Sequence, residues 1–278
     1  MMNNFLIVTN DGKDKDYSVT YRVKELLEEA GKSCTICKKD ENKKIIPESV
    51  PEKVDCAIVI GGDGSLIEVA RFLWNRDIPI LGINMGTLGY LTEVEINHLD
   101  EAVRQLASGK VLLENRMMLE GSFENGMKDV ALNDIVVTRK SGLRVTRFKL
   151  YVNGELLNSY EADGVIIATP TGSTAYNLSA GGPIVEPTAE LVVITPICSH
   201  ALNTSSIILS ADDEIVIEIG EARIGNEQEV LLSFDGADTV TLKTGEKVTV
   251  KKASTVTKLI KLNSISFLEM LRRKMKGN

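Results

Sequence analysis

The sequence predicts two domains of different class: an α/β domain over residues 1–111 and an all-β sandwich domain over residues 112–264. In the first stretch, apolar strand-like runs alternate with amphipathic helical runs, which is typical of a parallel sheet covered by helices. In the second stretch, runs rich in β-branched residues alternate with turn sequences, which indicates packed antiparallel sheets. A chain of 278 residues is long enough for each domain to bury its own core.

The elements of the first domain follow from its hydrophobic pattern. The pattern predicts four strands, at residues 5–10, 33–37, 54–60 and 78–84, and three helices, at residues 16–30, 65–74 and 99–108. The helix at 16–30 carries an apolar stripe that includes Val23 and Leu27. The run CAIVI in the third strand is apolar throughout, as a central parallel strand should be.

The strand-rich half is expected to contain strands over most of residues 115–262. The sequences VNGE at 152–155 and KTGE at 243–246 lie between strand-like runs and suit hairpins. The segment at 265–278 predicts a short amphipathic helix whose basic end suits a helix C-terminus. We expect this helix to pack back on the first domain.

Composition and charge exclude several classes of protein. A hydrophobic fraction of 43% with 26% charged residues is that of a soluble globular protein. The net charge of −7 argues against nucleic acid as a partner. The chain has no apolar run long enough for a membrane span, and its first residues lack the basic region of a signal peptide. We therefore expect a cytoplasmic protein that is not bound to a membrane.

The cysteine pattern does not predict a metal site. Cys34 and Cys37 form a C-x-x-C, which is also found in redox and zinc sites. No second C-x-x-C follows, and the chain has only two histidines. Residues three apart on a strand also point to opposite faces. We interpret both as reduced structural cysteines.

Two glycine-rich loops follow predicted parallel strands. The first is the GGDGS loop at residues 61–65, where missing Cβ atoms let backbone N–H groups approach phosphates. Asp63 in this loop is a candidate for a chemical role, because a carboxylate beside phosphates is unfavourable unless it takes a proton or faces a metal ion. The second is GINMGTLGY at residues 82–90. Ligands bind outside the carboxyl ends of such strands, so the loops predict one crevice, with two tight turns as the alternative.

Two polar segments interrupt the strand-rich half. Asn133 and Asp134 lie in the apolar run VALNDIVVT, where a buried polar pair must find partners. A ligand's hydroxyl groups would supply them, and so would an edge bulge or water. The other segment runs from Asp163 through TPTGSTAYN at 169–177 to GGP at 181–183. Its hydroxyls and its one aromatic side chain suit a nucleobase and a ribose.

The four segments together resemble a known family, although no Rossmann G-x-G-x-x-G or Walker lysine motif is present. GGDGS, GINMGTLGYLT, ALNDIVV and ADGVIIATPTGSTAYNLSAGGPIV, in this order between residues 55 and 236, look like the NAD kinases. GGDG alone is shared with phosphofructokinases and diacylglycerol-type lipid kinases. The combination with ND, TGSTAY and GGP is specific. The resemblance implies a Rossmann-like, phosphofructokinase-like first domain and an NAD-binding β sandwich.

The resemblance also implies an activity. The family phosphorylates the 2′-hydroxyl of the adenosine ribose of NAD to give NADP, using ATP or in some members polyphosphate or other nucleoside triphosphates. A divalent metal, Mg²⁺ or Mn²⁺, is expected to be bound mainly through the donor phosphates, with no protein ligand assigned. NAD and ATP are the expected partners, and the chain is expected to form a homodimer or homotetramer.

The family's site residues can be carried over position by position. Asp63 would stand beside the 2′-hydroxyl as general base. Gly62 and Gly64 would border the dinucleotide. Asp163 would bind its nicotinamide side. The residues expected to contact the ribose, the base and the nucleoside pocket are Asn133, Asp134, Thr171, Thr174, Ala175, Tyr176 and Asn177.

The chain departs from the family pattern at three positions. Asp134 stands where glutamate is usual, Ser205 where arginine is usual, and Ala237 where glutamine usually follows Asp-Gly. The roles of the segments around Ser205 and Ala237 are therefore left open.

Three other functions are alternatives to NAD phosphorylation. A lipid kinase should carry a Gly-Thr-Gly-Asn-Asp element, which the sequence lacks. A sugar kinase should continue the α/β alternation into the second half. A non-catalytic dinucleotide sensor, in which Asp63 is structural, would bind NAD without making NADP.

Overall fold

The computed structural model describes residues 2–86, 89–140, 145–200, 205–222, 226–237, 239–262 and 265–276. The chain divides into two compact units: Met1–Asn115 with Thr257–Asn278, and Arg116–Val256. These limits differ from the predicted bounds at residues 111 and 264. The longest described helix has 12 residues, and none of the described helices is long and apolar enough to span a bilayer.

Strands and helices alternate along the N-terminal part of the first unit. They are β1 (Asn4–Thr9), α1 (Ser18–Glu29), β2 (Ser33–Ile36), β3 (Cys56–Gly61), α2 (Asp63–Phe72), β4 (Ile80–Asn84), β5 (Val94–Glu95) and α3 (Leu99–Ser108). The α3 bounds are those predicted from the hydrophobic pattern. Helix α2 begins at Asp63, two residues before the predicted start, because the sequence Gly-Asp-Gly resembles a loop although its last two residues are helical.

The second unit is built almost entirely from strands. They are β6 (Leu112–Phe123), β7 (Lys128–Ala131), β8 (Asp134–Arg139), β9 (Thr146–Val152), β10 (Glu155–Ala162), β11 (Gly164–Ala168), β12 (Leu191–Ile197), β13 (Ile207–Ser210), β14 (Ile215–Ile219), β15 (Glu229–Phe234) and β16 (Val240–Lys243). A short helix, α4 (Tyr176–Ser179), follows β11. Strand β17 (Lys247–Lys261) continues into the first unit, and the last helix is α5 (Phe267–Met275).

The sheet of the first unit has the strand order β2-β1-β3-β4, and its described pairings are all parallel. Strand β5 and the end of β17 also pair with β4. The chain moves from β1 to β2 on one side and from β3 to β4 on the other. The strand order therefore reverses between β1 and β3. In open α/β sheets, ligands bind beyond the carboxyl ends of the strands at such a point.

The core of the first unit lies between this sheet and helices α1 and α3. Phe5 and Ile58 of the sheet are almost completely buried, and so are Leu27 of α1 and Leu106 of α3. Helix α5 also contacts this unit, since Lys274 Nζ lies 5.3 Å from the ring centroid of Tyr90. The strands that carry the glycine loops are thus fixed by apolar packing.

Two antiparallel sheets form the second unit. One has the order β13-β12-β11-β8-β15-β16, and the other contains β10-β9-β14-β17 together with β6 and β7. Their facing sides share a core that includes Phe148, Ile167, Ile217 and Phe234. The predicted α/β domain and β sandwich are both confirmed.

Two details of the sandwich differ from the sequence-based expectation. The apolar run VALNDIVVT, which the sequence suggests is continuous with the strand-rich half, is split between β7 and β8 by Leu132 and Asn133. The turn at 243–246 does not close a hairpin, because β16 pairs with β15 while β17 pairs with β14. A turn sequence specifies a reversal of the chain but not the sheet that the next strand joins. The turn at 152–155 does close the predicted hairpin of β9 and β10.

Candidate functional site

Asp63 is the first residue of α2 and directly follows the glycines that end β3. Its half-buried carboxylate accepts hydrogen bonds from three consecutive backbone N–H groups. Tyr90 N donates to Oδ2 at 2.6 Å, and Leu91 N and Thr92 N both donate to Oδ1 at 3.1 Å. The Thr92 hydroxyl donates to Oδ1 at 3.3 Å. Oδ2 therefore keeps one lone-pair site for a ligand.

The two glycine-rich loops meet at this carboxylate, as the sequence predicts. A Cβ atom on Gly89 would lie 1.8 Å from Asp63 Oδ1, so only glycine allows this approach. Gly64 is different, because a Cβ there would have no heavy atom of a described residue within 4 Å. Thr87 and Leu88 of the second loop lie outside the described residues.

The start of the second loop carries a buried oxygen that no described residue bonds. The Asn84 side chain donates through Nδ2 to the carbonyl of Gly86 at 2.7 Å. Its Oδ1 is buried and accepts no hydrogen bond from the residues that the structure describes. An orphaned acceptor of this kind is costly to bury, so it marks a place where a ligand donor or cation would be stabilising.

A third loop at this edge was missed by the sequence analysis. The turn after β1 is fastened to α2, since Asn10 Nδ2 donates to Ser65 Oγ at 2.8 Å. In the same turn, Lys13 Nζ lies 2.8 Å from the position that a Cβ on Gly62 would take. The sequence signal was the polar turn NDGKD directly after the first predicted strand.

In the second unit, the Asn133–Asp134 segment is held by Asp235. The Asp235 carboxylate accepts hydrogen bonds from Leu132 N, Asn133 N and Asp134 N at 2.7, 2.7 and 3.0 Å. The Asp235 backbone N–H donates in return to the Asp134 carbonyl at 2.9 Å. The role of the Asp235-Gly236-Ala237 segment, left open by the sequence, includes positioning this pair.

The side chain of Asp134 is buried next to this second carboxylate. Only 5% of Asp134 is exposed. Burial, and to a lesser extent the charge of Asp235, raise the pKa of Asp134 to about 7. Asp134 can therefore take up or release a proton near neutral pH.

The TPTGSTAYN segment packs directly against Asn133. Thr169 N donates to the Asn133 carbonyl at 2.8 Å, and the Thr169 hydroxyl donates to the Leu132 carbonyl at 2.6 Å. A Cβ on Gly172 would lie 2.0 Å from the same Asn133 carbonyl oxygen. The structure thus brings two of the sequence-predicted segments together.

The predicted nucleoside-binding residues differ in how accessible they are. Tyr176 is 45% exposed, and Thr174 and Ala175 are half-buried. Thr171 is buried and accepts a hydrogen bond from Arg116 Nη1 at 3.3 Å. Tyr176, Thr174 and Ala175 are therefore the members of this set that a ligand reaches most directly.

Asn177 has a structural environment. It is completely buried, and its amide donates to the Ser173 and Pro183 carbonyls at 3.0 Å each. Its Oδ1 accepts a hydrogen bond from the Thr195 hydroxyl at 2.6 Å. These bonds tie α4 to β12, and a ligand contact by Asn177 stays a prediction.

Asp163 lies apart from the other predicted residues of this unit. It precedes β11, whereas Thr169 follows it, and β11 is five residues long. At a rise of about 3.3 Å per residue, Asp163 and Thr169 are therefore about 20 Å apart. The Asp163 carboxylate pairs with Arg139 Nη1 at 2.9 Å. Within one chain, Asp163 therefore lies away from Asn133, Asp134 and the Thr169 end of β11.

Sequence comparisons agree with this arrangement. Residues 38–111 match the model of the ATP-NAD kinase N-terminal domain, and residues 132–262 match that of the C-terminal domain. The chain is 41% identical to an NAD kinase of Lachnospira eligens, covering 99% of this chain and 100% of that protein. It is 42% identical to an NAD kinase of Agathobacter rectalis, covering 100% and 99%.

Solved structures share the fold. A yeast NADH kinase complexed with NADH superposes with a TM-score of 0.88 at 24% identity, covering 100% of this chain and 88% of that chain. An NAD kinase from Archaeoglobus fulgidus in complex with ATP gives a TM-score of 0.81 at 23% identity, covering 99% and 100%.

The α/β unit with its GGDG loop and the β sandwich define a two-domain kinase. The chain belongs to the NAD kinase family and is an enzyme that phosphorylates NAD. The lipid-kinase, sugar-kinase and sensor alternatives are not favoured by these matches.

Proposed function

We propose that the enzyme transfers the terminal phosphoryl group of ATP to the 2′-hydroxyl of the adenosine ribose of NAD, with Asp63 as general base. The observation that carries the proposal is the Asp63 carboxylate at the carboxyl end of β3, held by four hydrogen bonds of which Oδ2 receives one. Such a carboxylate is oriented in advance and keeps an oxygen with which to accept a proton.

In this reaction one bond forms, one bond breaks and one proton is transferred. A bond forms between the ribose 2′-oxygen and the terminal phosphorus, and the bond from that phosphorus to the bridging oxygen of ADP breaks. The hydroxyl proton passes to Asp63. Since the transition state of phosphoryl transfer is loose, positioning and charge stabilisation supply most of the rate.

A divalent cation, Mg²⁺ or Mn²⁺, would be held at this site mainly by the phosphates of the donor and not by a set of protein side chains. Among the described residues, no three His, Cys, Asp or Glu side chains converge on one point. The buried Asn84 Oδ1, which accepts no hydrogen bond from a described residue, is an oxygen of the type that Mg²⁺ prefers. When bound, the metal would neutralise charge on the donor phosphates.

We assign recognition of the dinucleotide to the second unit. Asn133 and Asp134 would bond the ribose or the base, while Thr174, Ala175 and Tyr176 would line the nucleoside pocket. The supporting observation is that Asp235 holds the first pair rigidly while the other three remain accessible. We also infer that the chain forms a homodimer or homotetramer and that inorganic polyphosphate serves as a second donor.

A donor and acceptor panel tests the proposal. The purified enzyme would be incubated with ATP or polyphosphate, with Mg²⁺ or Mn²⁺, and with NAD, NADH or adenosine, and the products analysed for 2′-phosphorylation. We expect NADP from NAD, ATP and Mg²⁺. Phosphorylation at another hydroxyl, or no product from any dinucleotide, would contradict the proposal.

A further inference from the structure

The loop after β1 lies at the point where the strand order of the first unit reverses. Strands β1 and β3 are neighbours, with Phe5 opposite Cys56 and Thr9 opposite Ile60. Their connections leave in opposite directions, to β2 and to β4. The loops at residues 10–17 and 61–62 therefore border the same crevice, where open α/β sheets bind ligands.

The loop after β1 is built in a way that directs Lys13 to the GGDG loop. Lys13 N and Asp14 N donate to the Asn10 carbonyl at 2.9 and 3.0 Å, which closes a tight turn. Asn10 N donates to the Ile60 carbonyl at 2.8 Å, which anchors the turn to β3. Lys13 Nζ lies 2.8 Å from a Cβ position on Gly62 and 3.6 Å from one on Gly86. The ammonium group thus stands over both glycine loops.

The charge of Lys13 is not neutralised within the described part of the chain. Among the described residues, no carboxylate forms an ion pair with it. Two acidic neighbours in the turn are engaged elsewhere. Asp11 accepts a hydrogen bond from the Tyr17 hydroxyl, and Asp14 accepts from Thr20 N at 2.9 Å at the start of α1. The turn therefore presents the ammonium group of Lys13 to the crevice.

We propose that Lys13 binds the phosphoryl group that is transferred, as the Walker lysine does in other nucleotide-binding proteins. This inference rests on the proposed function. During transfer, negative charge lies on the non-bridging oxygens of the phosphoryl group while its bond to ADP breaks and its bond to the ribose 2′-oxygen forms. Lys13 offsets this charge from the side of Gly62, next to Asp63, which receives the proton.

The same contact explains a feature that the sequence left unresolved. The chain has no recognisable donor-binding motif, because the lysine lies in the turn after the first strand rather than after the glycines. Since Lys13 would contact a phosphoryl group and no nucleoside, it should act equally on ATP and on an inorganic polyphosphate.

The test compares Lys13→Met with Lys15→Met, its matched control. Lys15 is also exposed, and its substitution removes the same charge from the same turn. Among the described residues, however, it has no atom within 4 Å of a Cβ position on Gly62 or Gly86. Kinetic constants would be measured with MgATP and with magnesium tripolyphosphate, and the Kd for NAD alone by calorimetry. We expect Lys13→Met to lower kcat/KM for both donors at least about tenfold, with the Kd for NAD unchanged. Lys13→Arg should recover part of the loss, and Lys15→Met should resemble the wild type.

Three results would overturn the inference. In the first, Lys13→Met has the same kcat/KM as Lys15→Met while the wild type makes NADP, which leaves the proposed function intact. In the second, Lys13→Met weakens the Kd for NAD, which assigns Lys13 to the acceptor. A wild-type enzyme that makes no NADP with either donor would overturn the proposed function and this inference together.

Discussion

At the scale of single residues, Asp63 and Asp235 use their carboxylates in the same way. Each accepts hydrogen bonds from three consecutive backbone N–H groups, residues 90–92 for Asp63 and residues 132–134 for Asp235. A carboxylate is the one side-chain group with enough acceptor sites for this task. The proposed base is therefore also a structural anchor, and tests of Asp63 must separate these two roles.

Gly89 and Gly64 allow two further substitutions at this site. Gly89→Ala would place a methyl group against the Asp63 carboxylate, so we expect kcat to fall at least about 100-fold. Gly64→Ala adds a methyl group in the first turn of α2, with no atom of the described residues within 4 Å of it. We expect it to stabilise the fold by about 0.5–1 kcal/mol while raising the KM for NAD.

Steady-state kinetics and thermal unfolding of both variants check this pair. A Gly89→Ala enzyme with the wild-type kcat would contradict the geometry at Asp63. An unchanged KM for NAD in Gly64→Ala would show that the open face of this glycine does not meet the dinucleotide.

The buried carboxyl of Asp134 makes stability depend on pH. Its pKa is raised to about 7 in the folded chain, above the ordinary aspartate value, so the folded state binds the proton more tightly. The contribution of Asp134 to the free energy of unfolding is complete at pH values below the ordinary aspartate pKa, and it is lost as the pH rises through 7. Its upper bound is roughly 4 kcal/mol.

Asp134→Asn should remove that dependence, because the amide stays neutral. We expect the Tm of the variant, relative to that of the wild type, to be higher at pH 8 than at pH 5. Calorimetry across this range is the measurement. A difference in Tm that is the same at both pH values would contradict the raised pKa.

At the scale of elements, Asp235 defines where β7 ends and β8 begins. Asp235→Asn replaces one acceptor oxygen by a donor that faces a backbone N–H, which we expect to cost about 1–3 kcal/mol. Hydrogen exchange should accelerate at the amides of residues 132–134. Glu227→Gln is a suitable control, since Glu227 is exposed and forms no hydrogen bond or ion pair with another described residue. Unchanged protection of these three amides would contradict the assigned role.

The elements predictable from sequence were those with a strong local signal. Helix α3 has a continuous apolar stripe, and its bounds at Leu99 and Ser108 were predicted to the residue. The break at Leu132 and Asn133 was not predicted, because its cause, the Asp235 carboxylate, lies about a hundred residues away along the chain. Lys13 was missed for the same reason, since its proximity to Gly62 depends on β1 and β3 being neighbours.

At the scale of the whole molecule, each unit contributes a rigid polar segment fixed by one aspartate. In the first unit it is the 90–92 segment on Asp63, and in the second the 132–134 segment on Asp235. The apolar cores behind them are independent, one between a parallel sheet and its helices and one between two antiparallel sheets. In the sequence, the glycine loop singles out Asp63. Asp235 stands out only through its neighbour Ala237, which departs from the family pattern.

The central claim is that Asp63 accepts the proton of the ribose hydroxyl. The direct test is the single-turnover rate of NADP formation by Asp63→Asn, after its fold and its NAD binding have been verified. Thr92→Val is the control, because it removes one hydrogen bond to the carboxylate but leaves the base in place. The expected result is a loss of about 10²- to 10⁴-fold for Asp63→Asn, with most of the rate kept by Thr92→Val. An Asp63→Asn enzyme that transfers phosphate at nearly the wild-type rate would contradict the claim.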